Sequence, residues 1–336
     1  MMTFPASDPI AVLHLARTGR NRSPHENIVR RCAATLFGLT LAALIAGHAV
    51  AADPAVEVIA RPLMAPSPPS ELPFTRREAG AIGIYRPVEY SIKDHWPPFW
   101  NGRGISSGDI DRDGDDDIVL GSSDRGLHIF RNDGAGMFED VTPELSRVRT
   151  MPVIIAALVD INDDGWLDIF LTAYQSGNHI LWNRNGTFSE ADMTGVANRA
   201  DAVLTKSLSF ADVDRDGDLD AALGNWAAGW YRRVPGNEAT NRIVFNEKGV
   251  MSGENAVELD GMPGESLSIL LSDFDMDGDA DLLVGNDFHQ PDLFYFGDGK
   301  GGFQRIRPAD GIIPISTTTT MSMKTGDLDN DLLPEI

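Results

Sequence analysis

Asp212, Asp214, Asp216 and Asp220 stand at positions 1, 3, 5 and 9 of a nine-residue stretch, with Gly217 at position 6. Three more stretches repeat the pattern: Asp109, Asp111, Asp113 and Asp117 with Gly114; Asp160, Asn162, Asp164 and Asp168 with Gly165; and Asp273, Asp275, Asp277 and Asp281 with Gly278. An imperfect fifth copy closes the chain with Asp327, Asp329, Asp331 and Glu335. The first residues of successive copies are 51, 52, 61 and 54 apart. Oxygen side chains at alternate positions of a tight loop can turn inward on one hard cation. Calcium accepts roughly six to eight oxygens at about 2.3–2.6 Å and tolerates irregular geometry. Glycine at position 6 permits the sharp turn, and without a cation the carboxylates repel one another. The spacing predicts four calcium loops. It predicts a fifth in which Glu335 replaces the last aspartate and Leu332 replaces the glycine, the one feature that opposes the tight turn there.

The elements that must position these loops follow from what flanks them. An EF-hand needs a bidentate Glu at position 12 and helices on both sides, whereas position 12 here is Leu120, Leu171, Leu223 and Val284. The runs after position 9, such as Ile118-Val119-Leu120 and Leu282-Leu283-Val284, are short and mostly β-prone, and Gly or Thr ends them. They read as buried strands, so each loop joins two strands. Some 20 residues or more further on, each unit carries a second recurring element: Leu127 to Gly134, Ile180 to Gly186, Ile243 to Gly249 and Leu293 to Gly299. Each reads as a strand, an Asn/Asp-Gly type turn and a return strand. A unit then holds four strands in about 50 residues, the period of propeller blades.

Composition bounds the function. The 336 residues carry a formal net charge of -22, and 19 acidic residues are the proposed ligands. No basic patch exists to displace the counterions of a nucleic acid. The single cysteine, Cys32, precludes an intrachain disulfide.

Residues 1–51 read as a polar leader and signal peptide: the apolar run Cys32 to Ala46 is followed by Ala49-Val50-Ala51, with cleavage expected after Ala51. That run is shorter than the roughly 20 residues of a membrane span, so no membrane insertion is expected after cleavage, and the product is expected to be secreted, periplasmic or at the cell surface. Residues 52–73 form a Pro-rich linker, 74–104 a lead-in with His95, Trp96, Phe99 and Trp100, and 105–336 the repeat array.

Five loops in register, each with its apolar strand, resemble FG-GAP/VCBS repeats, the repeat of the integrin α-subunit propeller. The arrangement is also similar to secreted proteins of the ASPIC/UnbV and cartilage-acidic-protein-like group. The resemblance covers about 105–336. It implies an all-β fold, a β-propeller of four-stranded blades, seven when complete, with calcium held in hairpin loops on one face. Position 7 carbonyls, those of Asp115, Trp166, Asp218 and Asp279, would assist the side-chain ligands. Ile336 falls one residue into the strand expected next, so the array reads as incomplete at its C-terminus.

Some motifs point elsewhere and fail on context. Gly104-Ile105-Ser106-Ser107-Gly108 fits a hydrolase nucleophile elbow, which requires a helix behind it; a predicted calcium loop follows instead. Gly297 to Gly302 fits G-x-G-x-x-G but lies in a hairpin turn without a βαβ unit. His95, His128, His179 and His289 show no zinc-type spacing. The insertion in the third unit holds Trp226, Trp230, Tyr231, Arg232 and Arg233, residue types enriched at binding hot spots. These are the ligand-binding candidates, against the alternative that the aromatics cover the blade core. The expected function is a non-catalytic, calcium-stabilised adhesion or ligand-binding module for a protein or extracellular polysaccharide. One alternative is the propeller part of a larger extracellular enzyme with its catalytic domain beyond residue 336; another is a maturation factor for exported proteins.

Overall fold

The computed structural model describes residues 76–85, 92–95 and 104–336, except 144–146, 199, 228–234, 253–255, 314 and 330. The expected leader, signal peptide and linker, Trp96, Phe99 and Trp100 of the lead-in, and Trp230, Tyr231, Arg232 and Arg233 of the insertion lie outside the described residues.

The described chain is all-β: four consecutive four-stranded antiparallel sheets, each with its strands paired in chain order. The first holds β1 (Ile105–Gly108), β2 (Asp117–Ser122), β3 (Gly126–Asn132) and β4 (Phe138–Asp140). The second holds β5 (Val153–Val159), β6 (Asp168–Ala173), β7 (Gly177–Asn183) and β8 (Phe188–Val196). The third holds β9 (Thr205–Ala211), β10 (Asp220–Asn225), β11 (Arg242–Val244) and β12 (Ala256–Glu258). The fourth holds β13 (Ser266–Ser272), β14 (Asp281–Asn286), β15 (Leu293–Gly297) and β16 (Phe303–Ile306). These sheets are the blades of a β-propeller. No helix among the described residues is long and apolar enough to cross a membrane.

The apolar runs read from the sequence are the second strands. β6, β10 and β14 are buried along their whole length, because both faces are covered, by neighbouring sheets for β6 and β10 and for β14 by the third sheet on one face and Ile313 and Met323 on the other. The cores therefore lie between blades. Val119, Leu127 and Ile129 of the first blade pack with Val153, Ile169 and Leu171 of the second. Phe170, Ile180 and Trp182 meet Leu223 and Val244 at the next junction, and Ala222 and Ile243 meet Leu271, Leu282 and Val284 at the third.

Each nine-residue loop joins the first and second strands of a blade. Its position 9 aspartate opens the second strand opposite the last residue of the first: Gly108 with Asp117, Val159 with Asp168, Ala211 with Asp220, and Ser272 with Asp281. The other ends of the strands carry a buried polar chain. Asn178 donates to Thr205 Oγ1 at 2.8 Å, Thr205 to Asn225 Oδ1 at 2.8 Å, Asn241 to Ser266 Oγ at 2.8 Å and Ser266 to Asn286 Oδ1 at 2.9 Å. The third blade departs from the simple hairpin: its turn closes as the bridge Glu247–Val250, and the return strand β12 pairs with β11 only from Ala256 onward.

Candidate metal centre

One turn recurs five times. The position 1 carboxylate accepts main-chain N–H groups from positions 5 and 6. Asp109 accepts from Asp113 at 3.2 Å and Gly114 at 3.0 Å, and Asp160 from Asp164 at 3.1 Å and Gly165 at 2.7 Å. Asp212 and Asp273 repeat this with Asp216 and Gly217, and with Asp277 and Gly278, at 3.0–3.1 Å. The position 5 carboxylate accepts from the N–H of position 7, as Asp216 does from Asp218 at 2.9 Å. Position 4 is left-handed, with φ of 62° at Arg112 and 64° at Arg215, and so is position 6, with 97° at Gly114 and 100° at Gly217.

The fifth loop keeps this geometry despite its departures. Asp327 accepts from Asp331 at 3.1 Å and Leu332 at 3.0 Å. Leu332 takes φ 67° where the other loops have glycine, so the turn forms at the cost of backbone strain. Glu335 accepts the N–H of Leu328 at 2.6 Å, as the position 9 aspartates do from position 2.

Position 9 anchors each complete loop. Asp117, Asp168, Asp220 and Asp281 are fully buried. One oxygen accepts the position 2 N–H, from Ile110 at 2.9 Å, Ile161 at 3.2 Å, Val213 at 2.9 Å and Phe274 at 3.0 Å. The other accepts from the third strand or within two residues of its end: from Asn132 at 2.7 Å, Asn183 at 2.8 Å, Asn246 at 2.8 Å and Gly297 at 3.0 Å. Burial, with the neighbouring carboxylates adding to it, pushes Asp168, Asp220 and Asp281 up to about 6 and raises Asp117 as well. Asp214 and Asp275 are also raised, by desolvation and then by the like charges beside them.

Ligand atoms of positions 1, 3 and 9 converge to within 4.8 Å of one another in four loops: Asp109, Asp111 and Asp117; Asp212, Asp214 and Asp220; Asp273, Asp275 and Asp281; and Asp327, Asp329 and Glu335. The second loop has the amide Asn162 at position 3, which lies 3.1 Å from Asp164. The position 5 residues Asp113, Asp216, Asp277 and Asp331 are not among these sets; each turns one oxygen onto the N–H of position 7. Asp111 Oδ1 is buried and has no hydrogen-bond partner, a costly state for a carboxylate oxygen and one that a cation would satisfy. The donor set is all oxygen and mostly anionic, which suits a hard cation. The clusters could hold a metal.

The loops sit at the blade junctions. Asn183 donates to Ile110 O of the preceding loop at 2.8 Å and to Leu167 O of its own at 3.0 Å. Asn246 does the same with Ile161 O at 2.7 Å and Leu219 O at 3.2 Å. At the next junction the N–H of Gly301 donates to Val213 O at 3.1 Å. Each hairpin turn also lies on the position 3 ligand of the blade before it: a Cβ on Gly186 would come within 2.8 Å of Asp111 Cβ, and one on Gly249 within 3.3 Å of Asn162 Cβ. In the sequence Asn132, Asn183 and Asn246 read as turn formers only, and their recurrence after an apolar strand is the signal for this second role.

Among the insertion residues, Trp226 corrects the expectation of a surface hot spot. It is 3% exposed and packs with Ile154 and Leu204, because it directly continues the buried strand β10. Ser106 lies in β1 and donates its hydroxyl to Ala156 O at 2.8 Å, which leaves no elbow. His128 is buried and stacked beside Phe130. A cleft of about 370 Å³ opens where the second blade meets the third, lined by Trp182, Arg184, Thr194, Lys248 and Met251 together with Asn162.

The family profile described as FG-GAP-like repeat matches residues 97–159, 160–223 and 273–336. A search of curated proteins finds no match. Among solved structures, a lectin from Agrocybe aegerita, described in terms of specific recognition of non-reducing terminal N-acetylglucosamine, aligns with a TM-score of 0.40 at 18% identity. The alignment covers 65% of this chain and 52% of the lectin, so the chain spans about half the length of that protein.

Proposed function

Because this chain belongs to the FG-GAP-like repeat family, we propose that it is a calcium-binding β-propeller module, exported from the cell, that binds a protein or an extracellular polysaccharide on a propeller face. The observation that carries the calcium reading is the fourfold convergence of position 1, 3 and 9 carboxylates, with the buried and unpartnered Asp111 Oδ1 among them. The ions would be held by Asp109, Asp111 and Asp117, and by their equivalents in the later loops. Each ion neutralises part of a loop that would otherwise repel itself, and so fixes the junction between two blades. Calcium is structural in this reading, and the chain's own residues recognise the ligand. The cleft beside Trp182, Arg184 and Lys248 combines an indole edge with two cations, a surface suited to an acidic or hydroxylated ligand. Export is supported by the apolar run Cys32 to Ala46 and by Ala49-Val50-Ala51; N-terminal sequencing of the mature protein, with Ala52 first, tests it.

The binding test immobilises the whole chain and probes it with acidic and neutral polysaccharides and with matrix proteins, in calcium and in chelator. Binding of one of these classes that chelator abolishes supports the reading. No binding to any of them by the calcium-loaded chain overturns it.

A further inference from the structure

We propose that Arg112 and Arg215 couple the cation loops in two pairs, the first loop with the second and the third with the fourth, so that filling one loop of a pair raises the affinity of the other. The inference rests on the cation reading above and adds how the sites act on one another.

Both arginines occupy position 4, the left-handed residue between two ligands of its own loop, and both reach across a blade junction to the loop that follows. Arg112 Nε donates to Gly165 O at 3.0 Å and its Nη2 to Asp164 O at 3.1 Å. Its guanidinium stands 4.3 Å from the centre of the Trp166 ring. Arg215 Nη2 donates to Gly278 O at 3.0 Å and pairs with Asp279 at 2.5 Å. The position 4 residues of the second and fourth loops are Asp163 and Met276, side chains that have no proton to donate to a carbonyl. Among the described residues, the loop-to-loop arginine links thus alternate, present at the first and third junctions and absent at the second.

The grip falls where it matters for a ligand set. The peptide units held by Arg112 carry the N–H groups of Gly165 and Trp166, which bond Asp160 at 2.7 Å and Asp164 at 2.9 Å. An ion in the first loop draws in Asp111, the residue before Arg112, and so fixes the stem from which its guanidinium extends. The second loop then starts partly ordered, and its own ion meets a smaller ordering cost. Coupling of this kind needs no change of fold, and its usual size is a few-fold to a hundredfold in affinity.

Trp166 makes the first pair of loops readable, because its ring lies close to Asp111 of the first loop as well as in the second. It stands at position 7 of the second loop and would sensitise terbium, which binds oxygen sites of this type, bound beside it. The probe is terbium alone, added to the whole chain, with Trp166→Phe as the blank that isolates this pair of loops and Asp160→Asn as the variant whose lost signal marks the second loop's share. Asp109→Asn disables the first loop. The expected result is a terbium midpoint at the second loop about fivefold higher or more in Asp109→Asn than in the unaltered chain. Arg112→Gln raises that midpoint by a similar factor, and adding Asp109→Asn to it moves the midpoint no further, which closes a double-mutant cycle. Arg112→Lys keeps the charge but loses the two-pronged fork and behaves like Arg112→Gln. Circular dichroism confirms that each variant is folded before it enters the cycle. A second-loop midpoint that ignores Asp109→Asn, or moves equally with and without Arg112, overturns the coupling. Absence of any Trp166-dependent terbium signal in the unaltered chain defeats the cation reading itself, and the coupling with it.

Discussion

The side-chain amide of Asn183 donates to the main-chain carbonyl of Ile110, 73 residues earlier, at 2.8 Å. This bond ties the turn of one blade to the cation loop of the blade before it. Asn246 and Ile161 repeat the relationship across the next junction. The loops are therefore parts of the blade interfaces, and what happens in them reaches the packing of the propeller.

Asn183→Ala leaves two carbonyls, those of Ile110 and Leu167, without their donor in a buried setting. The expected cost is about 2–4 kcal/mol of unfolding free energy, from two orphaned acceptors at roughly 1–3 kcal/mol each with partial relaxation. The Asn132 side chain donates to Asp116 O and accepts from the Gly134 N–H, both within its own blade, and is partly exposed, so Asn132→Ala should cost about 1 kcal/mol or less. Denaturant unfolding of the two variants checks the contrast; equal losses would remove the inter-blade role.

Leu332→Gly should stabilise the fifth loop. Leucine at φ 67° is strained there, and glycine relieves the strain while adding freedom to the unfolded chain. The net gain is about 0.5–1 kcal/mol. The mirror experiment is Gly217→Ala at φ 100°, where an added Cβ meets nothing within 4 Å. Its expected loss of about 1–2 kcal/mol is purely conformational. Thermal unfolding of both variants measures the two signs.

Asp168, Asp220 and Asp281 titrate near 6 in the metal-free fold, against an ordinary value of 3.8. Between about pH 4 and 6 the folded chain holds protons that the unfolded chain has released. Metal-free stability from these groups is therefore greatest on the acid side and is lost as the pH rises through 6. A cation needs them ionised, so its binding must expel protons in that window and weaken as the pH falls. Calorimetric titration with calcium in buffers of different ionisation enthalpy should show proton release at about pH 5.5 and almost none at about pH 8. The same proton count at both values would contradict the assignment of these residues as ligands.

Trp226→Ala should act on stability and leave the affinity for any surface ligand unchanged. Its ring is buried with Ile154 and Leu204, and Lys206 Nζ lies 5.3 Å from the ring centre. The expected loss is about 3–5 kcal/mol, the range for emptying a large aromatic site. Comparing thermal unfolding with ligand affinity at a temperature where the variant is folded separates the two roles.

The sequence carried the loops and the blades for a physical reason. Alternate carboxylates with a glycine at position 6, followed by a β-prone run, leave few other structures, and β2, β6, β10 and β14 open on the position 9 aspartate in every case. The turn at Leu332 was less legible, because residue type opposed it while the hydrogen bonds to Asp327 and Asp331 sustain it. Position 5 reads as a ligand from its spacing, and the bond that Asp113 and Asp216 accept from the N–H of position 7 is a detail the spacing does not encode. The partners of Asn183 and Arg112 lie about 50 to 70 residues away, at distances that local spacing does not encode. Trp226 was misjudged because an aromatic in an insertion resembles a displayed one until the burial of β10 is known.

The central claim is that the loops bind calcium and that the propeller depends on it. Thermal unfolding of the chain in calcium, in magnesium and in chelator tests this most directly. A ligand bound only by the folded state adds about 2.7 kcal/mol per site at a hundredfold excess over its Kd. The expected midpoint is many degrees higher in calcium than in chelator, with a much smaller shift in magnesium and stepwise loss of the calcium shift in Asp214→Ala and Asp275→Ala. One midpoint in all three conditions would contradict it.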